Sequence, residues 1–239
     1  MKLDVVFTPG ELGGGGVGQR TVVVIDVLRA TSTILEALVN GARDVLPVES
    51  VEQAVRKAQE IGRDQVILCG ERDVERISGF ELGNSPLEFV AGKVGGKTLV
   101  MTTTNGTRAI LLGSAGARCL LASFLNARAT ADALRNADDD VLLLCAGREG
   151  RFALEDAICA GLIARHVRRA TGRPVETNDG ARAAMLMAGR FGRSLAAVLP
   201  RTAAGRRMVS LGRQDEIDFC AAVDRYEQVP RVQERRITL

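Results

Sequence analysis

Short apolar runs recur along the chain, and each gives way at its carboxyl end to acids, arginines, hydroxyl residues or amides. The clearest is TVVVIDVLRATST at Thr21–Thr33, where a β-branched run meets Asp26 and Arg29 and then the hydroxyl residues that open ILEALV. β-Branched residues favour strands and ILEALV has helical spacing, so the segment predicts a strand, a polar turn and a helix start. The same order returns in QVILCGERD from Gln65, TLVMTTTNGTR from Thr98, CLLASFLNAR from Cys119 and DVLLLCAGREGRFALED from Asp140. Repetition of this unit predicts an α/β fold with a largely parallel or mixed sheet flanked by helices. Polar residues just past the strands of such a sheet collect in one crevice, where an active site is expected.

The remaining segments fill in around these units. LDVVFTP predicts a first strand, and GELGGGGVGQ a flexible loop after it. Ser50 is placed to cap the helix VEQAVRKAQEIG, whose Val51, Ala54, Val55, Ala58 and Ile61 share one face. After a strand over 66–69, GERDVERISGFELGNSP is too rich in charge and turn residues for regular structure, and it ends in an NSP helix start. A helix is expected from Phe152 to Arg169, with Glu155 and Asp156 in its first turn. After Thr177 the chain reads as mostly helical. The whole span 1–239 reads as one domain, or as two intimately packed lobes.

Composition narrows the chemistry. With 239 residues and 46% of them hydrophobic, the chain can bury a sizeable core. A formal net charge of +3, no Trp and a single Tyr, with no basic run interleaved with aromatic residues, argue against nucleic acid as a partner. MKLDVVFTPG lacks a secretory h-region and no apolar run reaches the length of a membrane span, so a cytoplasmic location is expected. Five cysteines without a CxxC pair fit a reducing compartment, with Cys69, Cys119 and Cys145 as core residues on strands. His166, the one histidine, lies in the RHVRR end of a helix, where cations complement the helix dipole. Ser-His-Asp hydrolysis, phosphohistidine chemistry and multi-histidine zinc sites therefore have no candidate residues.

Three motif matches are tested by context. Gly13, Gly15 and Gly18 satisfy GxGxxG but lead into a strand, so no helix N-terminus follows for a pyrophosphate. AGKVGGKT at 91–98 resembles a phosphate loop but precedes a strand, and reads as a helix-to-strand turn. Cys145 and Arg151 have the Cys-x5-Arg spacing of cysteine phosphatases, which leaves a thiolate nucleophile as an alternative. Leu144, Phe152 and the acid Glu149 are poor neighbours for such a site.

The stronger constellation is acidic and arginine-rich. Asp26, Glu71, Glu155 and Asp156 fall at or soon after strand ends, where carboxylates could hold a hard divalent cation such as Mg²⁺. Asp26 and Asp156 are the catalytic candidates. Arg29, Arg72, Arg108, Arg148 and Arg151 lie in the same loops, and guanidinium forks match phosphate or sulfonate oxygens. Thr104 and Asn105 in TTTNGTRAI, and Asn84 and Ser85 at the NSP helix start, add donors suited to an anion. The substrate-binding candidates are thus Arg29, Arg72, Asn84, Ser85, Thr104, Asn105, Arg108 and Arg148. Taken singly, each charge is as well explained as solvated surface, but five loops repeating the pattern favour function for the set. A non-catalytic binder of an anionic metabolite would use the same loops, yet would not need clustered carboxylates without a metal.

In order along the chain, VVVIDVLRATSTI, GERDVERISGFELGNSP, TTTNGTRAI, CAGREGRFALEDAICAG and DEIDFCAAVDRYEQVP resemble the signature blocks of the 2-phosphosulfolactate phosphatases, the ComB type. The resemblance covers nearly the whole chain. It implies a ComB-like α/β fold and a Mg²⁺-dependent hydrolase that converts (R)-2-phospho-3-sulfolactate to 3-sulfolactate and phosphate, on the way to coenzyme M or related sulfonates. It also implies a small phosphorylated sulfonate as partner, with no nucleic acid and no membrane; homo-oligomer formation is left open. One departure is GELGGGGVG, where the family pattern is more acidic.

Overall fold

The computed structural model describes residues 1–135, 139–172 and 174–239. Its strands are β1 (Lys2–Val6), β2 (Thr21–Ile25), β3 (Asp44–Pro47), β4 (Val66–Arg72), β5 (Glu75–Arg76), β6 (Thr98–Thr102), β7 (Arg118–Ala122), β8 (Val141–Cys145), β9 (Glu176–Thr177), β10 (Arg231–Gln233) and β11 (Arg236–Thr238). Its helices are α1 (Ala30–Val39), α2 (Val51–Ile61), α3 (Ala91–Val94), α4 (Gly106–Gly113), α5 (Ala127–Leu134), α6 (Leu154–Ala170), α7 (Asp179–Phe191), α8 (Leu195–Val198), α9 (Ala203–Ser210) and α10 (Gln214–Cys220).

Every residue of β2 is buried, which explains why its sequence is apolar without alternation. Val23 and Ile25 pack into a core shared with α5, α6 and α7, whereas Val22 and Val24 pack on the other face with α1 and α4. A third cluster holds α2 through Ala54 and Ala58 against Leu46, Leu68 and Val100. Ser50 caps α2 by accepting a hydrogen bond from the Gln53 amide at 3.2 Å, as its sequence predicts.

Among the described residues the strands form one mixed sheet in the order β5-β4-β6-β3-β11-β10-β7-β2-β8-β1-β9. Strands β7, β2, β8, β1 and β9 make one parallel block, and β3, β6 and β4 another. The hairpin β10–β11 joins them, pairing antiparallel with β7 on one side and with β3 on the other. Counted through the hairpin, the two blocks run in opposite senses. The expected single crevice forms all the same, and it is lined by segments that follow strands of both blocks.

Two local readings also change. The polar segment after Cys69 is not wholly irregular, because β4 runs on to Arg72 and pairs with β5 through a tight turn at Asp73 and Val74. The part after Thr177 is mostly helical as expected but closes in β10 and β11, whose turn places Glu234 and Arg235 at positive φ without the Asn-Gly signal that usually announces such a hairpin. The glycine-rich segment contains a 3-10 turn at Pro9–Gly15, with Glu11 accepting from the Phe7 amide at 3.2 Å.

Candidate active site

Asp26 is the first residue beyond β2. Its backbone is locked by Thr31, whose hydroxyl accepts from the Asp26 amide at 3.1 Å and donates to the Asp26 and Ala122 carbonyls. Its Oδ1 accepts from the Ala30 amide at 3.2 Å as α1 begins, while Oδ2 accepts no hydrogen bond among the described residues. Burial above all, opposed by the Ala30 amide and reinforced by Glu71 and Glu155, pushes the Asp26 carboxyl up to about 7.

The other three acids meet it from separate elements. Asp156, in the first turn of α6, accepts from the Val27 amide at 2.9 Å and the Gly147 amide at 3.2 Å, so it ties the end of β2 to the loop after β8. Burial, with Asp26 and Glu155 nearby, raises its carboxyl well above the usual range. Glu155 is also raised by burial, opposed by its own backbone amide, the Thr202 side chain and the charge of Arg148. Glu71, near the end of β4, accepts from the Thr104 amide and the Val74 amide, each at 2.8 Å.

These four carboxylates line one small pocket of about 60 Å³ together with Arg29, Asn84, Thr104, Asn105 and Arg148. Three sequence candidates lie outside its lining. Side chains alternate along a strand, so with Glu71 facing the pocket Arg72 turns away, donating to the Glu71 carbonyl and to Thr102 Oγ1. Ser85 follows Asn84 in extended backbone and is buried behind it. Arg108 sits two positions into α4, about 200° around the helix from Gly106, and lines a different groove of about 780 Å³ between α2, α4 and the β10–β11 turn. That groove is larger, but it contains none of the buried acids.

The cysteine alternative loses its support here. Cys145 is fully buried, and burial followed by the nearby Asp156 pushes its thiol far from ionisation. Arg151 is exposed and bonds through its backbone to Arg148, outside the pocket.

Comparison with known proteins decides the family. The chain matches the family model described as 2-phosphosulpholactate phosphatase over residues 6–235. The chain belongs to the 2-phosphosulfolactate phosphatase family. It is 41% identical to a "Probable 2-phosphosulfolactate phosphatase" of Thermotoga petrophila, covering 95% of this chain and 94% of that one. Identity is 42% to the protein so named in Symbiobacterium thermophilum, over 92% of this chain and 94% of the relative. For the one from Caldanaerobacter subterraneus the figures are 37%, 97% and 95%. As its name states, the 2-phosphosulfolactate phosphatase family consists of phosphoric monoester hydrolases.

Whether this member of the 2-phosphosulfolactate phosphatase family has donors suited to Mg²⁺ can be judged from its own atoms. Apart from the Met208 thioether, the donors lining the pocket are hard oxygens, and Asn84 Oδ1 is buried with no hydrogen-bond partner among the described residues. Among the described residues no three His, Cys, Asp or Glu side chains converge to hold an ion by themselves. Oxygen donors of this kind are the ones Mg²⁺ takes, one or two carboxylates at a time together with waters and substrate oxygens.

Sequence reasoning missed Glu216 as a site residue. Its carboxylate, on α10, accepts a hydrogen bond from Arg29 although the two are 187 residues apart. Two acids in the first turn of a short helix read as ordinary helix-dipole partners, so only the block DEIDFC hinted at more. No described helix is long and apolar enough to cross a membrane.

Proposed function

We propose that this protein hydrolyses (R)-2-phospho-3-sulfolactate to 3-sulfolactate and phosphate with the help of Mg²⁺. The observation that carries the reading is the convergence of four buried acids and two arginines on one pocket, in a chain of this family. Phosphoryl transfer depends mainly on positioning and charge neutralisation, which suits a site without histidine.

Asp26 is assigned as the general base. Its Oδ2 has no donor among the described residues, whereas both oxygens of Glu71 and of Asp156 are held by protein groups, and burial brings the Asp26 carboxyl up to about 7, where base catalysis is efficient. It takes a proton from the attacking water as the phosphorus–oxygen ester bond breaks, and the departing alkoxide oxygen of 3-sulfolactate takes up a proton from solvent. Asp156, fixed by two amides, and Glu155 beside it would hold Mg²⁺, with Asn84 Oδ1 as a neutral donor. When bound, the ion would neutralise phosphoryl charge and relieve the repulsion among the acids. Arg29 and Arg148 attract the two anionic groups of the substrate, and Thr104 and Asn105 present the N-terminal turn of α4 to one of them.

Phosphate release from (R)-2-phospho-3-sulfolactate and from 2-phospholactate, measured with Mg²⁺ and with EDTA, tests the reading. Metal-dependent turnover that favours the sulfonate is expected. No turnover of either ester would end it.

A further inference from the structure

The guanidinium of Arg29 stands between two sets of acids. Toward the pocket lie Asp26, Glu71, Glu155 and Asp156; behind it lies Glu216 of α10. The structure commits Arg29 to the rear. Nη1 donates to Glu216 Oε2, and Nη2 donates to the Val74 carbonyl at 2.8 Å. Glu216 is held in turn by Arg213, which donates to its other oxygen at 3.2 Å. Arg29 and Glu216 are both almost fully buried, so neither is free to reorient in solvent.

The Val74 carbonyl reaches Arg29 at a conformational cost. Val74 has φ 74°, a left-handed conformation that a β-branched residue rarely adopts. Such strain persists where surrounding contacts over-determine it, and here they do: the Val74 amide donates to Glu71 while its carbonyl accepts from Arg29. Arg29 is thus held at two nitrogens by two separate elements, Glu216 outside the pocket and the Val74 turn at its wall. With one charge neutralised by Glu216 and another supplied by Arg213, the Arg29–Glu216–Arg213 set keeps a net positive charge next to the pocket.

We propose that Glu216 is a positioning residue that holds Arg29 back from the pocket carboxylates, so that the guanidinium remains available to an anionic group of the substrate. Without the Glu216 charge, Arg29 would have four carboxylates in reach of its electrostatic field and would pair with them, closing the pocket to an anion. The identity of that anion rests on the phosphatase reading above; the positioning role rests on the geometry alone.

A double-mutant cycle tests this, read by calorimetric binding of inorganic phosphate and, separately, by kinetics. Glu216→Gln should weaken phosphate binding and raise KM by about tenfold with a much smaller change in kcat, the scale of one charged hydrogen bond. In an Arg29→Met background the same change should have almost no further effect, because its target is gone. Additive effects in the cycle, or wild-type phosphate affinity in Glu216→Gln, would overturn the proposal. If the glutamine variant fails to fold, Glu216→Asp replaces it in the cycle, since it keeps the charge but withdraws the carboxylate by one methylene, and the same signs are expected. A wild-type protein that binds phosphate but does not hydrolyse the phosphosulfonate would end the proposed reaction, while the cycle still decides the role of Glu216 from affinities.

Discussion

A β-carbon placed on Gly106 would lie 2.5 Å from Asp26 Oδ2 and 2.4 Å from the Ala30 methyl group. The first residue of α4 therefore fits against the central carboxylate only because it has no side chain. Helices α1 and α4, from different parts of the chain, meet at that carboxylate.

Gly106→Ala should accordingly lower stability by roughly 1–3 kcal/mol, the usual cost of overpacking a tight contact. It should also reduce kcat strongly, because Asp26 must move. Thermal denaturation and turnover measured together check this. Wild-type kinetics in a folded Gly106→Ala protein would contradict it.

Asp26→Asn should separate activity from stability. The Asp26 carboxyl sits at about 7 in the folded protein, against 3.8 for an ordinary aspartate. Between those values the folded state binds a proton that the unfolded state has lost, so the group favours folding at low pH and that contribution disappears as pH rises through about 7. In metal-free protein the asparagine variant should therefore melt higher than wild type at pH 8, by roughly 2 kcal/mol or about 4–8 °C, with the gain vanishing near pH 4. Its turnover at saturating Mg²⁺ should be nearly abolished.

Metal removal should expose the same repulsion. EDTA should abolish activity and Mg²⁺ should restore it. Mg²⁺ should also raise the melting temperature of wild type, since an ion that binds only the folded state stabilises it. Asp156→Asn should shift the Mg²⁺ concentration needed for activity upward by about tenfold or more, the loss of one charged contact. Full activity after exhaustive chelation would rule out the metal.

The arginines should divide into two groups. Arg29→Lys should cost about tenfold or more in kcat/KM, because lysine cannot reproduce a fixed fork of donors. Arg108→Lys should stay within about twofold of wild type, since the side chain is exposed in a separate groove. Comparable losses in both would return Arg108 to the site.

Cys145→Ala should retain most activity, and iodoacetamide should inhibit little, because a buried thiol pushed far from ionisation offers no nucleophile. Inactivation that tracks labelling of Cys145 would revive the cysteine mechanism.

Much of the pocket was legible in the sequence because strand ends are easy to locate. Asp26, Arg29 and Glu71 stand within a few residues of an apolar run, Asp156 follows the run ending at Cys145 by one loop and a helix start, and the fold delivers them to one place. Facing was harder to read. Arg72 and Arg108 are as close in sequence to the pocket as their neighbours Glu71 and Asn105, yet strand alternation and helical rotation turn them away. Partners separated by most of the chain left no local trace: Glu216 gives no sign of Arg29, and the short strands at Arg231–Gln233 and Arg236–Thr238 carry neither apolar length nor a standard turn signal.

The hairpin at 231–238 also sets an order of events for the newborn chain. It follows in sequence every strand that it joins, and Ile237 pairs with Val45, near the other end of the sheet's history. While the ribosome still holds these residues, the two parallel blocks have no strand between them. Each block can gather its own helices during translation, but the edges of β3 and β7 stay open. Closure of the sheet therefore comes only after every other strand has been made, and until it occurs those two edges are the ones a chaperone would need to shield.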